Sequence, residues 1–220
     1  MCDYVTRKEL KGPKEIINNW IKTVQKKIKK EEKIHFSYIP IGSGKRNMVI
    51  KQCNRKYFDL DFQIMLTKLP KKYTKKISEK AKEINDLFKR YFDDNAPEGF
   101  SKCQDSTQAL TSINSEKGFS YDIIVTRKDD ADNYFILYNK KNTNNANNRD
   151  YWWAPRSNST KEKERLKLIK GSEMWNDLRK CYKKKRHDYK DCNLENKKKS
   201  YQILNEAVVE TLKNFNIDYE

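Results

Sequence analysis

Two aspartates separated by one leucine, Asp59-Leu60-Asp61, stand inside the apolar run Tyr57-Phe-Asp-Leu-Asp-Phe-Gln-Ile64. The alternation predicts a strand, because successive side chains of a strand point to opposite faces. Phe58, Leu60 and Phe62 then share a face that seeks a core, and Asp59 and Asp61 share the other. Neighbouring carboxylates resist ionising together unless a cation lies between them. A strand that buries one face and offers paired acids on the other is a candidate Mg²⁺ site. Upstream, an apolar run ends at Ile41 in Gly42-Ser43, a bend able to present backbone N–H groups and a hydroxyl to phosphates. Downstream, Phe119-Ser-Tyr-Asp-Ile-Ile-Val125 holds a single acid, Asp122, in a β-branched setting where it has no packing role. Set beside the first strand, it completes a three-carboxylate cluster suited to metal-assisted in-line phosphoryl displacement.

This ordered set of Gly42-Ser43, Asp59-x-Asp61 and Asp122 resembles the DNA polymerase beta-like nucleotidyltransferase superfamily. The layout is most similar to the oligoadenylate-synthase and cyclic-oligonucleotide-synthase branch, where an apolar strand like Thr107–Ile113 precedes the strand of the third acid. The resemblance implies an α+β fold: a mixed sheet of four to five strands flanked by helices, with a C-terminal helical part. Residues 1–155 would form the catalytic core and 156–220 the helical part that completes a nucleotide cleft. Asp59, Asp61 and Asp122 would be the catalytic and metal-binding residues, with Mg²⁺ or Mn²⁺ as cofactor. A nucleoside triphosphate such as ATP would be the substrate, its phosphates gripped by Gly42 and Ser43. Lys45 and Arg46 on the same bend, and Lys167 and Lys170 on a later helix, are candidate triphosphate contacts. The chain departs from the family pattern between Ser43 and Asp59, which is longer, more basic and without the Thr common there.

Gly42-Ser-Gly-Lys45 is not the end of a P-loop. Counting back from Gly44, that motif requires glycine where Ile39 stands, and a hydroxyl where Arg46 follows the lysine.

The length suits one domain, or one core with a helical appendage. An aromatic share of 12% supplies a core despite only 36% hydrophobic residues. The formal net charge of +17 attracts polyanions, including nucleotides and RNA, and fits equally a solubilising lysine coat. No apolar run is long enough to cross a bilayer, and Met1-Cys-Asp-Tyr-Val lacks a signal-peptide core. Five scattered cysteines, an odd number, fit reduced thiols and a cytoplasmic protein. Cys181, His187 and Cys192 offer three zinc ligands but neither a fourth nor a Cys-x-x-Cys spacing, which argues against zinc.

Further elements follow from periodicity. A helix is predicted from Pro13, at its first turn, to Lys30, with Ile16, Ile17, Trp20, Ile21, Val24 and Ile28 on its apolar stripe. A strand covers Lys33–Ile41, a short helix Lys45–Gln52, and a long amphipathic helix Tyr73–Phe92. Asp105–Ile113 and Phe119–Arg127 read as a hairpin, and Tyr134–Tyr138 as a further strand. Asn139–Arg149 reads as a polar loop. Tyr151-Trp-Trp-Ala-Pro-Arg156 either stacks a base or anchors that loop to the core, and anchoring is favoured. A helix runs from Ser159-Thr160 to Lys185 with a break at Gly171, and a last one spans Lys198–Phe215.

The functional expectation is nucleotidyl transfer from a triphosphate to a hydroxyl, with release of pyrophosphate. Three acceptors stay open: another nucleotide, the 3′ end of an RNA such as tRNA, or a small hydroxylated molecule. The rival from another class is a non-catalytic basic RNA-binding domain on a similar scaffold. No partner protein is evident.

Overall fold

The first helix begins well before Pro13. Thr6 caps it: its hydroxyl accepts the Glu9 backbone N–H at 3.2 Å, and Glu9 reaches back to the Thr6 N–H at 2.8 Å. This reciprocal capping box starts α1 at Arg7, and the helix runs to Glu32 with Pro13 inside it. The proline removes one intrahelical bond, yet the helix continues because Leu10, Ile17, Trp20, Ile21, Val24 and Ile28 are all buried along one face. Lys33, in the left-handed region, ends it.

The structure is a computed structural model and describes residues 3–51, 57–74, 77–141, 148–156, 160–191 and 200–217. The chain divides into two compact units: Thr6–Val49 with Tyr57–Ser157, and Asn158–Glu220 with Met1–Val5 and Ile50–Lys56.

The larger unit holds α1 and a seven-stranded mixed sheet. Its strands are β1 (His35–Pro40), β2 (Phe58–Lys68), β3 (Gln104–Asp105), β4 (Leu110–Asn114), β5 (Phe119–Lys128), β6 (Tyr134–Lys141) and β7 (Arg149–Pro155). Spatial order is β1-β2-β5-β4-β3, with β6 on β5 and β7 on β6; among the described strands, β2 and β5 pair in parallel and the rest antiparallel. The mixed, helix-flanked sheet agrees with the expected class but exceeds four to five strands. The excess is the two-residue β3 and β7. The latter is the aromatic segment after the Asn-rich stretch, which pairs with β6 from Phe135↔Pro155 to Lys141↔Arg149. Residues 142–147 of the expected polar loop lie outside the described residues.

Helices α2 (Gly42–Arg46), α3 (Lys71–Thr74) and α4 (Ala81–Asp94) complete the unit. The short helix thus starts at Gly42 rather than Lys45. The single helix expected over Tyr73–Phe92 is two, α4 being capped at Lys80. Ile84, Phe88 and Phe92 of α4 are fully buried. Trp20 joins the layers: its indole N–H donates to the Phe92 carbonyl at 3.1 Å, and its ring meets Phe92, Phe100 and Tyr121 edge-on at 4.7–5.6 Å.

The second unit is helical: α5 (Thr160–Ile169), α6 (Met174–Asp191) and α7 (Ser200–Asn214). Gly171, at φ +86°, makes the expected break between α5 and α6. Ile169, Leu178, Tyr182, Ile203, Ala207, Val208 and Leu212 form its core. The N-terminal residues belong here. The Tyr4 hydroxyl donates to the Arg179 carbonyl at 2.7 Å, the Arg179 guanidinium lies 4.3 Å above the Tyr4 ring, and Asp3 pairs with Lys183 at 2.6 Å. Among the described residues, no helix is long and apolar enough to cross a membrane.

Candidate active site

The parallel register of β2 and β5 sets Phe58 opposite Phe119, Asp59 opposite Ser120 and Asp61 opposite Asp122. Paired residues of neighbouring strands share a face. Asp59, Asp61 and Asp122 therefore stand on one side of the sheet, and Phe58, Leu60, Phe62, Phe119, Tyr121 and Ile123 are buried on the other. The two outer carboxylates of the trio are each engaged by a hydroxyl: Ser120 Oγ donates to Asp59 Oδ1, and Thr111 Oγ1, from β4, donates to Asp122 Oδ1.

Asp61 lies between them. Burial, then the charges of Asp122 and Asp59, push its carboxyl up to about 7, with the Arg46 guanidinium acting in the opposite sense. Asp122 is also raised, chiefly by burial and further by Asp59, while the Thr111 hydrogen bond opposes the shift.

The turn after β1 is built against Asp61. The Ile41 N–H donates to the Asp61 carbonyl at 2.9 Å. Gly42 has φ +59°, and a Cβ there would lie 2.3 Å from Asp61 Oδ2, so only glycine lets the carboxylate sit against the bend. Lys14, reaching from α1, donates to the Gly44 carbonyl at 3.0 Å, and Arg46 Nη1 donates to the Gly42 carbonyl at 2.9 Å. The Met48 N–H closes the turn on the Ser43 carbonyl at 3.0 Å. Ser43 is half-buried and Lys45 exposed. The structure thus brings Gly42 and Arg46 to Asp61, and Asp61 to Asp59 and Asp122. Lys167, on α5, and Lys170, just after it, are exposed residues of the other unit.

As positioned, among the described residues, no three His, Cys, Asp or Glu side chains are arranged to hold an ion. The chemistry of the trio nevertheless fits one. Carboxylate oxygens are the hard donors that Mg²⁺ and Mn²⁺ take. Burial raises Asp61 most, and the repulsion from Asp122 and Asp59 that adds to it is what a cation cancels.

Several supporting residues were not foreseen. Among the described residues, Ser120 and Thr111 are the hydroxyls directly opposite the trio in register, a signal visible once β2, β4 and β5 are aligned. Gln63 continues the Asp59–Asp61 face and is buried, donating from Nε2 to Thr126 Oγ1 at 3.0 Å and accepting at Oε1 from Arg156 Nη1 at 3.1 Å. In the aromatic segment, Trp153 is the anchor: it is buried and its indole N–H donates to the Ile77 carbonyl at 3.1 Å. Trp152 is exposed and packs on Tyr138 with ring centroids 4.8 Å apart. Of the zinc candidates, Cys192 lies outside the described residues. The Cys181 thiol is pushed up to about 11 by burial and by Glu210, which disfavours the thiolate a metal needs.

No protein-family model and no curated protein sequence matches the chain. Solved structures do match in fold. The STING-associated CdnE c-di-GMP synthase of Capnocytophaga granulosa superposes with a TM-score of 0.63 at 17% identity, over 97% of this chain and 63% of that one. Escherichia coli DncV in its 3′-deoxy GTP-bound form gives 0.63 at 10% identity, over 98% of this chain and 70% of that one. The Vibrio cholerae DncV cyclic AMP-GMP synthase with nonhydrolyzable GTP gives 0.56 at 10% identity, over 85% and 47% respectively. The chain spans less than two thirds of the length of the Capnocytophaga and Vibrio proteins. The fold is a nucleotidyltransferase fold, as the sequence resemblance implied.

Proposed function

We propose that this protein is a metal-dependent nucleotidyltransferase that moves a nucleotidyl group from a nucleoside triphosphate to the hydroxyl of a second nucleotide, releasing pyrophosphate. The observation that carries this reading is the in-register Asp61–Asp122 pair, with Asp59 on the same face and Asp61 pushed up to about 7 against a glycine turn. Such a group is built to be neutralised by a bound cation. The fold likeness to a c-di-GMP synthase and a cyclic AMP-GMP synthase supports a nucleotide as acceptor.

Asp59, Asp61 and Asp122 would hold Mg²⁺ or Mn²⁺, which would supply charge neutralisation at the phosphates and lower the pKa of the acceptor hydroxyl. Asp122, fixed by Thr111, orients toward the acceptor side; Asp59 is fixed by Ser120. Ser43 and the N–H groups of the Gly42 turn bind the outer phosphates. Arg46, whose charge already acts on Asp61, and Lys45 balance the triphosphate. The rate gain is positioning plus charge stabilisation.

Purified protein is incubated with each labelled triphosphate, Mg²⁺ or Mn²⁺, with and without total RNA. The expected result is a small labelled oligonucleotide that forms without RNA and is lost by at least 1,000-fold, about 4 kcal/mol, in Asp61→Ala and Asp122→Ala. Full activity in either variant removes the mechanism. The second reading rests on the net charge of +17: labelling of an RNA 3′ end would make RNA the acceptor. RNA binding with steep salt dependence and no product of either kind would make the chain a non-catalytic RNA-binding domain.

A further inference from the structure

We propose that Thr111 and Ser120 are positioning residues that favour Mg²⁺ over Ca²⁺ at this site, by restricting Asp122 and Asp59 to one ligating oxygen each. The proposal rests on the metal-dependent reading above and adds which ion the site prefers. The strand order supplies the partners: β5 lies between β2 and β4. In the parallel register Ser120 of β5 stands opposite Asp59 of β2. In the antiparallel register Thr111 of β4 stands opposite Asp122 of β5. Side chains directly opposite on neighbouring strands are close enough to bond. Each hydroxyl donates to the acid it faces, Ser120 to Asp59 Oδ1 and Thr111 to Asp122 Oδ1. Both bonds run the same way across the sheet, from the β4 side toward β2. Asp61 has no such donor, because the residue opposite it on β5 is Asp122 itself.

A hydroxyl has one proton to give, and here both are given to carboxylates. Hydrogen bonds to an ionised acid are stronger than those between neutral groups. Asp59 and Asp122 thus each keep one oxygen turned to the neighbouring strand. The other, Oδ2, accepts no hydrogen bond among the described residues. An ion that takes single oxygens is served by this arrangement. An ion that chelates both oxygens of one carboxylate must first displace the hydroxyl. Ser120 is buried, so a displaced hydroxyl there loses its acceptor without gaining water. This difference separates two common divalent ions. Mg²⁺ is small, demands near-octahedral geometry and takes a few carboxylate oxygens, with waters and phosphates filling the rest. Ca²⁺ takes more oxygens, in looser geometry, and readily accepts both from one carboxylate. Hydrogen bonds that orient ligating carboxylates in this way tune affinity without touching the ion.

Thermal melting in rising Mg²⁺ or Ca²⁺, without nucleotide, tests this on wild type, Thr111→Val, Thr111→Ser and Ser120→Ala. The readout is the concentration of each ion that gives half the maximal rise in melting temperature, so a variant's own loss of stability does not enter. Thr111→Val and Ser120→Ala are expected to require about ten-fold more Mg²⁺ than wild type and no more Ca²⁺. Thr111→Ser, which keeps the hydroxyl, keeps the wild-type ratio of the two ions. In turnover with Mg²⁺, the two hydroxyl-free variants are inhibited by less added Ca²⁺ than wild type. An unchanged ratio in either hydroxyl-free variant, with or without loss of stability, overturns the proposal, as does a shifted ratio in Thr111→Ser. The expected shifts in a protein that makes no product keep the two hydroxyls and remove the enzyme. Product formed with unchanged ratios does the reverse, and a wild type that answers to neither ion removes both.

Discussion

Alternate residues of β2 and β5 make two surfaces with opposite demands. On one side Phe58, Leu60, Phe62 and Ile64 meet Phe119, Tyr121 and Ile123, all nearly inaccessible to water. On the other, a few ångströms through the same backbone, Asp59 and Asp61 meet Ser120 and Asp122, and the middle carboxylate resists ionising. The first surface gains free energy when the chain folds; the second gives some of it up to gather like charges. Because strand side chains alternate, neither surface constrains the residue types of the other. Stability and chemistry are therefore separable by single substitutions one residue apart.

The sharpest contrast is between neighbours 61 and 62. Phe62→Ala empties a fully buried position and is expected to lower unfolding free energy by about 4 kcal/mol in urea titrations. Loss of less than 1 kcal/mol would mean that this face is not the core.

Asp61→Asn is expected to do the opposite and stabilise the chain. The Asp61 carboxyl sits above its unfolded value, so between about pH 4 and 7 the folded chain holds a proton the unfolded chain has lost. The penalty is absent below about pH 4, grows as pH rises through that window and is complete above about 7. At pH 8 the asparagine variant should be more stable by about 4 kcal/mol, and at pH 4 by nothing. Millimolar Mg²⁺ should raise the melting temperature of wild type at pH 8 and leave the variant unmoved. A pH-independent difference, or equal Mg²⁺ responses, would break the contrast between the faces.

The smallest stability effect is expected at the turn. Gly42→Ala puts a side chain at φ +59° and against the Asp61 carboxylate, at a cost of about 1 kcal/mol. Its effect on nucleotidyl transfer should be far larger, since Asp61 must move. A variant with wild-type turnover would show that the turn does not shape the site.

The two-faced strands were legible because their signal is local: alternation at i and i+2, with acids only on one parity. The trio's shared face also followed from that parity, once Asp122 was taken to lie beside Asp61. Interactions across long sequence separations were not legible. The Gln63–Thr126–Arg156 chain joins residues 63 and 93 positions apart, and Lys14 reaches the turn from 30 positions upstream. Local signals in competition were misread too. Pro13 looked like a helix start because proline favours the first turn, whereas Thr6 and Glu9 already cap the helix. Tyr151–Arg156 reads as an anchor of the preceding loop to the core; Trp153 does turn inward, but the segment itself is a strand paired with β6. Strand content there depends on a partner that the segment's own composition does not reveal.

Tyr4 stacks under Arg179 and bonds to its carbonyl across 175 positions of chain. The helical unit is consequently sewn from segments far apart in the chain. Asp3 and Tyr4 are made long before Arg179 and Lys183, and meet the partners that hold them only when those helices have emerged. A fragment beginning at residue 158 would carry Arg179 and Lys183 but leave behind the tyrosine and aspartate they grip.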